Sequence, residues 1–201
     1  RNFDPRADDD ATAQVPFTVS TDHVGPDEAR AGRWVSGTFG WWWRYEDGNY
    51  PTSTQLRIDG AIYRFNARGY MVTGWVYEDG QWYYYGASGG QSAGWVRVHG
   101  TWYYLDPLTG AMASGWTKVQ GTWYYLSSSG AMRTGWVRDG SAWYYLTSSG
   151  ALATGWQRVG SSWYYLSPDG GAMATGWMRD GDAWYYLTYS GVITTGSRRF
   201  D

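Results

Sequence analysis

The residues best placed to do chemistry are tryptophans that recur in pairs seven positions apart: Trp75 and Trp82, Trp95 and Trp102, Trp116 and Trp123, Trp136 and Trp143, Trp156 and Trp163, Trp177 and Trp184. Each second Trp is followed at once by two tyrosines, from Tyr83 and Tyr84 through to Tyr185 and Tyr186. Clustered π faces attract a cation through their quadrupoles, and they also stack on sugar rings. Packing alone would be served as well by Leu or Val, so the paired Trp read as ligand-facing. The first Tyr of each pair, Tyr83, Tyr103, Tyr124, Tyr144, Tyr164 and Tyr185, reads as core. No carboxylate recurs on the repeat face, which suits a cation held by rings and equally suits a neutral sugar.

Other chemistries lack their residues. The chain has no Cys and only two His, His23 and His99, which removes disulfides, thiol catalysis and Cys-ligated zinc and leaves little for a His-based site. Neither His has a recurring partner. Asp8-Asp9-Asp10 reads as a solvated acidic run, and Ser127 to Ser129 and Ser148-Ser149 occupy turns with no His to act as base. No metal, cofactor or catalytic centre is expected. A formal net charge of -2 lacks the basic footprint of nucleic-acid binding, and no apolar run approaches the ~18 residues of a membrane span.

The elements that must position these rings follow from an internal repeat. Gly-Trp recurs at Gly74-Trp75, Gly94-Trp95, Gly115-Trp116, Gly135-Trp136, Gly155-Trp156 and Gly176-Trp177, with Gly196 closing the series, in steps of 20 or 21 residues. Between the two Trp of a unit lies a turn signal such as Asp79-Gly80, His99-Gly100, Asp139-Gly140 or Asp180-Gly181, flanked by β-branched and aromatic residues, which predicts a β-hairpin. A two-residue loop at His99-Gly100 pairs Arg97 with Trp102, Val96 with Tyr103 and Trp95 with Tyr104. Directly opposed residues share a face. Trp95, Arg97, Trp102 and Tyr104 thus fall on one side and Val96, Val98, Tyr103 and Leu105 on the other. A turn at Asp139-Gly140 predicts a slipped register there, with Trp136 opposite Trp143. After each Tyr pair comes a second turn and a short apolar segment whose Met slot holds Met71, Gln91, Met112, Met132, Leu152, Met173 and Ile193. Lone hairpins are marginal in water, so the expected fold is all-β, a solenoid of stacked hairpin repeats of about 20 residues that bury their second faces on one another.

Three regions are expected. Residues 1–33 read as a linker or the end of a preceding domain, with an extended segment at Val15 to Val19, and the start at Arg1 reads as a piece of a longer protein. Residues 34–73 read as one atypical capping repeat with an insertion around Asp47 to Thr54, Ile62 standing where the second Trp belongs and Arg64 where the second Tyr belongs. Residues 74–201 read as six tandem hairpin repeats with a short C-terminal cap.

The unit Gly-Trp-x-x-x-x-Gly-x-Trp-Tyr-Tyr-Leu-x-x-x-Gly-x-Met-x-Thr-Gly-Trp, nearly complete from Gly115 to Trp136, closely resembles the choline-binding or cell-wall-binding repeat of Gram-positive surface proteins and lysins over about residues 56–196. The resemblance implies a left-handed hairpin solenoid that is not itself an enzyme and attaches a partner domain to choline-bearing teichoic acid on the cell surface or in the wall. Related repeats recognise glucan, so a polysaccharide ligand or a plain spacer are the alternatives. It further implies ligand boxes made of Trp75 and Trp82 with Tyr104, Trp95 and Trp102 with Tyr125, Trp116 and Trp123 with Tyr145, Trp136 and Trp143 with Tyr165, and Trp156 and Trp163 with Tyr186, with Met112, Met132 and Met173 nearby. Gln91 is expected to weaken the box of Trp75, and Ile62 and Arg64 argue against a box in the first repeat. Trp177 and Trp184 have no following hairpin, a face that a second chain could cover as a homodimer.

Overall fold

The computed structural model describes residues 26–194 as sixteen strands joined in eight antiparallel hairpins. In chain order these are β1 (Gly32–Gly37) with β2 (Gly40–Tyr45), β3 (Thr54–Ile58) with β4 (Ala61–Phe65), β5 (Gly74–Glu78) with β6 (Gln81–Tyr85), and β7 (Gly94–Val98) with β8 (Thr101–Leu105). There follow β9 (Gly115–Val119) with β10 (Thr122–Leu126), β11 (Gly135–Asp139) with β12 (Ala142–Leu146), β13 (Gly155–Val159) with β14 (Ser162–Leu166), and β15 (Gly176–Asp180) with β16 (Ala183–Leu187). The described residues fall into two compact units, 26–113 and 114–194, each a run of stacked hairpins. The linker to Val19, Asp8-Asp9-Asp10, His23 and the C-terminal cap beyond Thr194 lie outside the described residues.

The register is the expected one at β7 and β8: Arg97 opposes Trp102, Val96 opposes Tyr103 and Trp95 opposes Tyr104. The slip expected at Trp136 does not occur. Arg138 opposes Trp143 and Trp136 opposes Tyr145, as in every other repeat from β5 onward. The reason is a change of turn type. In the hairpins from β3 to β10 the loops are Asp59-Gly60, Asp79-Gly80, His99-Gly100 and Gln120-Gly121, with φ near 50° at the first residue and 80° to 86° at the glycine, the type I′ pattern. From β11 onward the loop keeps the same offset from the first Trp but carries its glycine first, at Gly140-Ser141, Gly160-Ser161 and Gly181-Asp182, and only that leading glycine is left-handed, as type II′ turns require. Asp139 and Asp180 are therefore strand residues and not turn residues. His99 serves the backbone of a turn.

The segment expected to be one repeat with an insertion holds two hairpins. β1 and β2 set Trp34 opposite Trp43 and Ser36 opposite Trp41, while β3 and β4 set Gln55 opposite Arg64 and Arg57 opposite Ile62. Trp34 and Trp41 carry the same seven-residue spacing as the later pairs. Residues 26–33 are also structured in part: Arg57 N–H donates to Asp27 and Ala29 N–H donates to Arg57, both at 2.9 Å, laying this stretch against β3.

Stacking is stitched by backbone. The Met-slot N–H after one hairpin donates to the carbonyl at the second-Trp position of the hairpin before it: Met71 to Trp41, Gln91 to Ile62, Met112 to Trp82, Leu152 to Trp123, Met173 to Trp143 and Ile193 to Trp163, at 2.7 to 3.0 Å. One fully buried side chain per repeat, Phe65, Tyr85, Leu105, Leu126, Leu146, Leu166 and Leu187, lies under this segment, so Leu105 is core as expected. Tyr103 is only half-buried, which leaves part of its ring to the surface.

Candidate functional site: aromatic boxes between hairpins

Alternation along each strand puts both Trp of a hairpin and its second Tyr on one face. The first Trp meets that second Tyr within the hairpin at 5.0 to 5.2 Å between ring centroids, as in Trp75 with Tyr84, Trp95 with Tyr104, Trp116 with Tyr125, Trp136 with Tyr145, Trp156 with Tyr165 and Trp177 with Tyr186. The Trp face then packs on the opposite face of the next hairpin, where the first Tyr stands. Trp75 meets Tyr103, Trp116 meets Tyr144, Trp136 meets Tyr164 and Trp156 meets Tyr185, at 4.8 to 4.9 Å. This corrects the expected pairings: Tyr104, Tyr145, Tyr165 and Tyr186 belong to the Trp wall of their own hairpin, and the ring arriving from the next repeat is the one read as core. The signal was available, since residues on opposite faces of one strand cannot both face the preceding repeat.

The most complete box is an open cleft of about 670 Å³ lined by Trp136, Trp143, Tyr164, Met173 and, from the following turn, Tyr189. Trp136 and Tyr164 meet edge-on at 65°, and Arg138 also lines the cleft. The same set recurs as Trp75, Trp82, Tyr103 and Met112, where the two Trp rings stand at 88° to each other. Leu152 takes the Met place beside Trp116 and Trp123, and Ile193 beside Trp156 and Trp163. The slots of Met71, Gln91, Met132, Leu152 and Met173 each lie beneath a glycine of the next repeat: a Cβ on Gly150 would stand 2.5 Å from Met132 Sδ. That close approach, together with φ of +84°, is why the turn after the Tyr pair ends in Gly.

Sequence reasoning missed one box and misplaced one residue. Trp34, Trp41, Tyr63 and Met71 line a cleft of about 390 Å³ in the first two hairpins, with Trp34 4.8 Å from Tyr63. The seven-residue spacing of Trp34 and Trp41 would have revealed it. Gln91 does not touch the Trp75 box, whose slot is Met112. It lies with Gln55, Ile62 and Tyr83 in the preceding site, so the departures at Ile62 and Gln91 meet in one place.

Carboxylates also appear where none was expected. Trp116 Nε1 donates to Asp139 Oδ2 at 3.1 Å and Trp156 Nε1 to Asp180 Oδ2 at 2.9 Å, each Asp reaching from the next hairpin. Arg97 lies 6.0 Å from the Trp102 ring and Lys118 5.6 Å from the Trp123 ring, so the outer faces of these Trp already receive cations. Trp82 instead has Tyr77 beside it at 5.1 Å. Among the described residues no cluster of His, Asp or Glu could hold a metal ion, and no helix is long and apolar enough to cross a membrane.

A family model described as the choline-binding repeat matches residues 52–93, 79–115, 113–154 and 153–197. The chain belongs to the choline-binding repeat family. Among solved structures, this choline-binding repeat chain is similar to CbpJ of Streptococcus pneumoniae, with 38% identity and a TM-score of 0.70 over 77% of this chain and 56% of that one. Choline binding protein F of the same organism is 36% identical, with a TM-score of 0.74 over 82% of this chain and 58% of that one. The modular pneumococcal autolysin LytC is 29% identical, with a TM-score of 0.55 over 82% of this chain and 42% of that one. The chain thus spans less than two thirds of each. Comparison with curated proteins finds no match. The Trp34 box rests in part on β1 and β2, which precede the first matched choline-binding repeat.

Proposed function

We propose that this chain is a non-catalytic attachment module that holds the choline substituents of a teichoic-acid-type surface polymer in its inter-hairpin boxes. The observation that carries the reading is the cleft of Trp136, Trp143, Tyr164 and Met173, three ring walls around an opening of the size of a small ligand. A quaternary ammonium over one ring gains roughly 0.5 to 2 kcal/mol, so three rings give about 4 kcal/mol, a millimolar site. A polymer that repeats its ligand converts several such sites into avidity of roughly a hundredfold or more. The likeness to pneumococcal choline-binding proteins supports a secreted, wall-associated setting. Self-association through the half-exposed face of Trp184 belongs to the same proposal, and sedimentation equilibrium tests it.

Trp fluorescence titrated with choline and, separately, with dextran tests the assignment. Saturable quenching and a raised melting temperature with choline are expected, together with retention on a tertiary-amine resin. A flat choline titration beside a saturable dextran one would replace this reading with a glucan-binding module.

A further inference from the structure

The site between the second and third hairpins has the position of a box and a different chemistry. Gln55 and Ile62 stand where the other repeats carry their two Trp, Arg64 replaces the second Tyr, Tyr85 replaces the buried Leu and Gln91 replaces Met. These departures are spread over residues 55–91, yet Gln55, Ile62, Arg64 and Gln91 line one open cleft of about 610 Å³, and the buried Tyr85 reaches it through Gln55. They also support one another. Gln55 Nε2 donates to the Tyr85 hydroxyl at 2.8 Å and lies 3.5 Å from Glu78, and Arg64 pairs with Glu78 at 2.6 Å. Random decay of an aromatic box would not supply a buried phenol to hold the new amide.

The lining argues against both kinds of ion. With Gln55 and Ile62 in place of Trp, the cleft has lost the Trp faces that would hold a quaternary ammonium, and the Arg64 guanidinium stands where the other repeats carry the second Tyr ring. An anion is disfavoured too, because Glu78 occupies Arg64, Glu28 lies 3.5 Å from Arg57, and Asp27 and Asp79 stand at the rim. What remains is a mixture of directional donors and acceptors with the Tyr83 ring and Ile62 as apolar surface. Hydroxyl groups match the first, and the C–H face of a sugar ring matches the second.

We propose that this cleft binds a neutral pyranose oligosaccharide, independently of the aromatic boxes. The full chain, with its boxes saturated by choline, is titrated with isomaltotriose, maltotriose and tri-N-acetylchitotriose and followed by calorimetry and by amide chemical shifts. One-to-one binding of at least one trisaccharide is expected, with shifts centred on Gln55, Arg64 and Gln91. Gln91→Met, which installs the residue most repeats carry, and Arg57→Ala at the exposed edge should each weaken it by about two- to tenfold, the loss of one hydrogen bond. Trp143→Leu should leave it unchanged. Absence of binding by all three sugars at tens of millimolar overturns the proposal, as does displacement by choline or indifference to both cleft variants. The choline titration is read separately, so loss of choline binding and loss of sugar binding are distinct results.

Discussion

Trp143→Leu is the most direct test of the box. The ring forms one wall of the cleft with Trp136, Tyr164 and Met173 and is 41% exposed, so it is not needed to seal a core. The backbone stitch at this residue, Met173 N–H to the Trp143 carbonyl at 2.7 Å, does not involve the side chain. Leu retains much of the buried apolar area, and the stability lost is about 1 kcal/mol, a melting shift of roughly 2 to 4 °C for a chain of this size. Removing one π face should cost about 1 kcal/mol of cation binding, within 0.5 to 2, which raises the dissociation constant of this box about two- to thirtyfold. Calorimetric titration with choline should then lose one site from its stoichiometry while the others keep their affinity. An isotherm superimposable on that of the parent chain would show that the ring does not face ligand. Collapse of every site with a melting shift far beyond a few degrees would show that it is structural.

Three further outcomes follow from contacts elsewhere. Gly150→Ala forces a Cβ into Met132 at φ +84° and should destabilise the chain by about 1 to 3 kcal/mol, measured by urea unfolding; Met132→Ala in the same chain should recover part of this. Asp139→Val, the residue type found at Val119 and Val159, removes the acceptor of the Trp116 indole and should cost about 1 kcal/mol while leaving the Trp136 box unaffected in choline titration. Burial pushes the Tyr85 phenol up to about 12 from 10.0. The unfolded chain therefore releases this proton first, stability is whole below pH 10 and falls as pH rises toward 12, by about 3 kcal/mol in all. In Tyr85→Phe that part of the alkaline loss should vanish from denaturation curves taken between those pH values.

Most of the repeat was legible because the hairpin leaves a strong trace: an invariant Trp spacing, glycine at the turn and strict alternation. What was not legible lay in choices that alternation leaves open. Asp139-Gly140 and Asp79-Gly80 look alike as dipeptides, yet the loop begins at Asp79 in one and at Gly140 in the other, because type I′ and type II′ turns both connect strands in two residues. Which Tyr reaches the preceding box depends on which faces stack, a question that residues within one hairpin do not answer. The first hairpin was hidden for a different reason. Its strands carry Trp42 and Trp43 where later repeats carry Tyr, so the eye is drawn to Gly40-Trp41-Trp42-Trp43 and away from Trp34.

The boxes share a plan without being equal, and the differences bear on how a polymer would be held. The Trp75 box has Tyr77, 61% exposed, where other repeats carry Arg or Lys, so a cationic ligand there meets an added ring and no competing charge. The Trp116 box has Lys118 over Trp123 but gains the carboxylate of Asp139, and the Trp156 box gains Asp180. The Trp136 box has neither carboxylate, since Val159 takes that position, and Arg138 lines it beside the rings and Met173. A cation weighs these terms differently, because exposed charges are screened by salt while ring quadrupoles act at contact. Raising ionic strength should therefore spread or narrow the site affinities without abolishing any of them, whereas a neutral sugar would respond to none of the charges. If the boxes hold ligand as proposed, unequal sites along one chain would allow a repeating ligand to slide between registers, with avidity set by the number engaged and not by any single box.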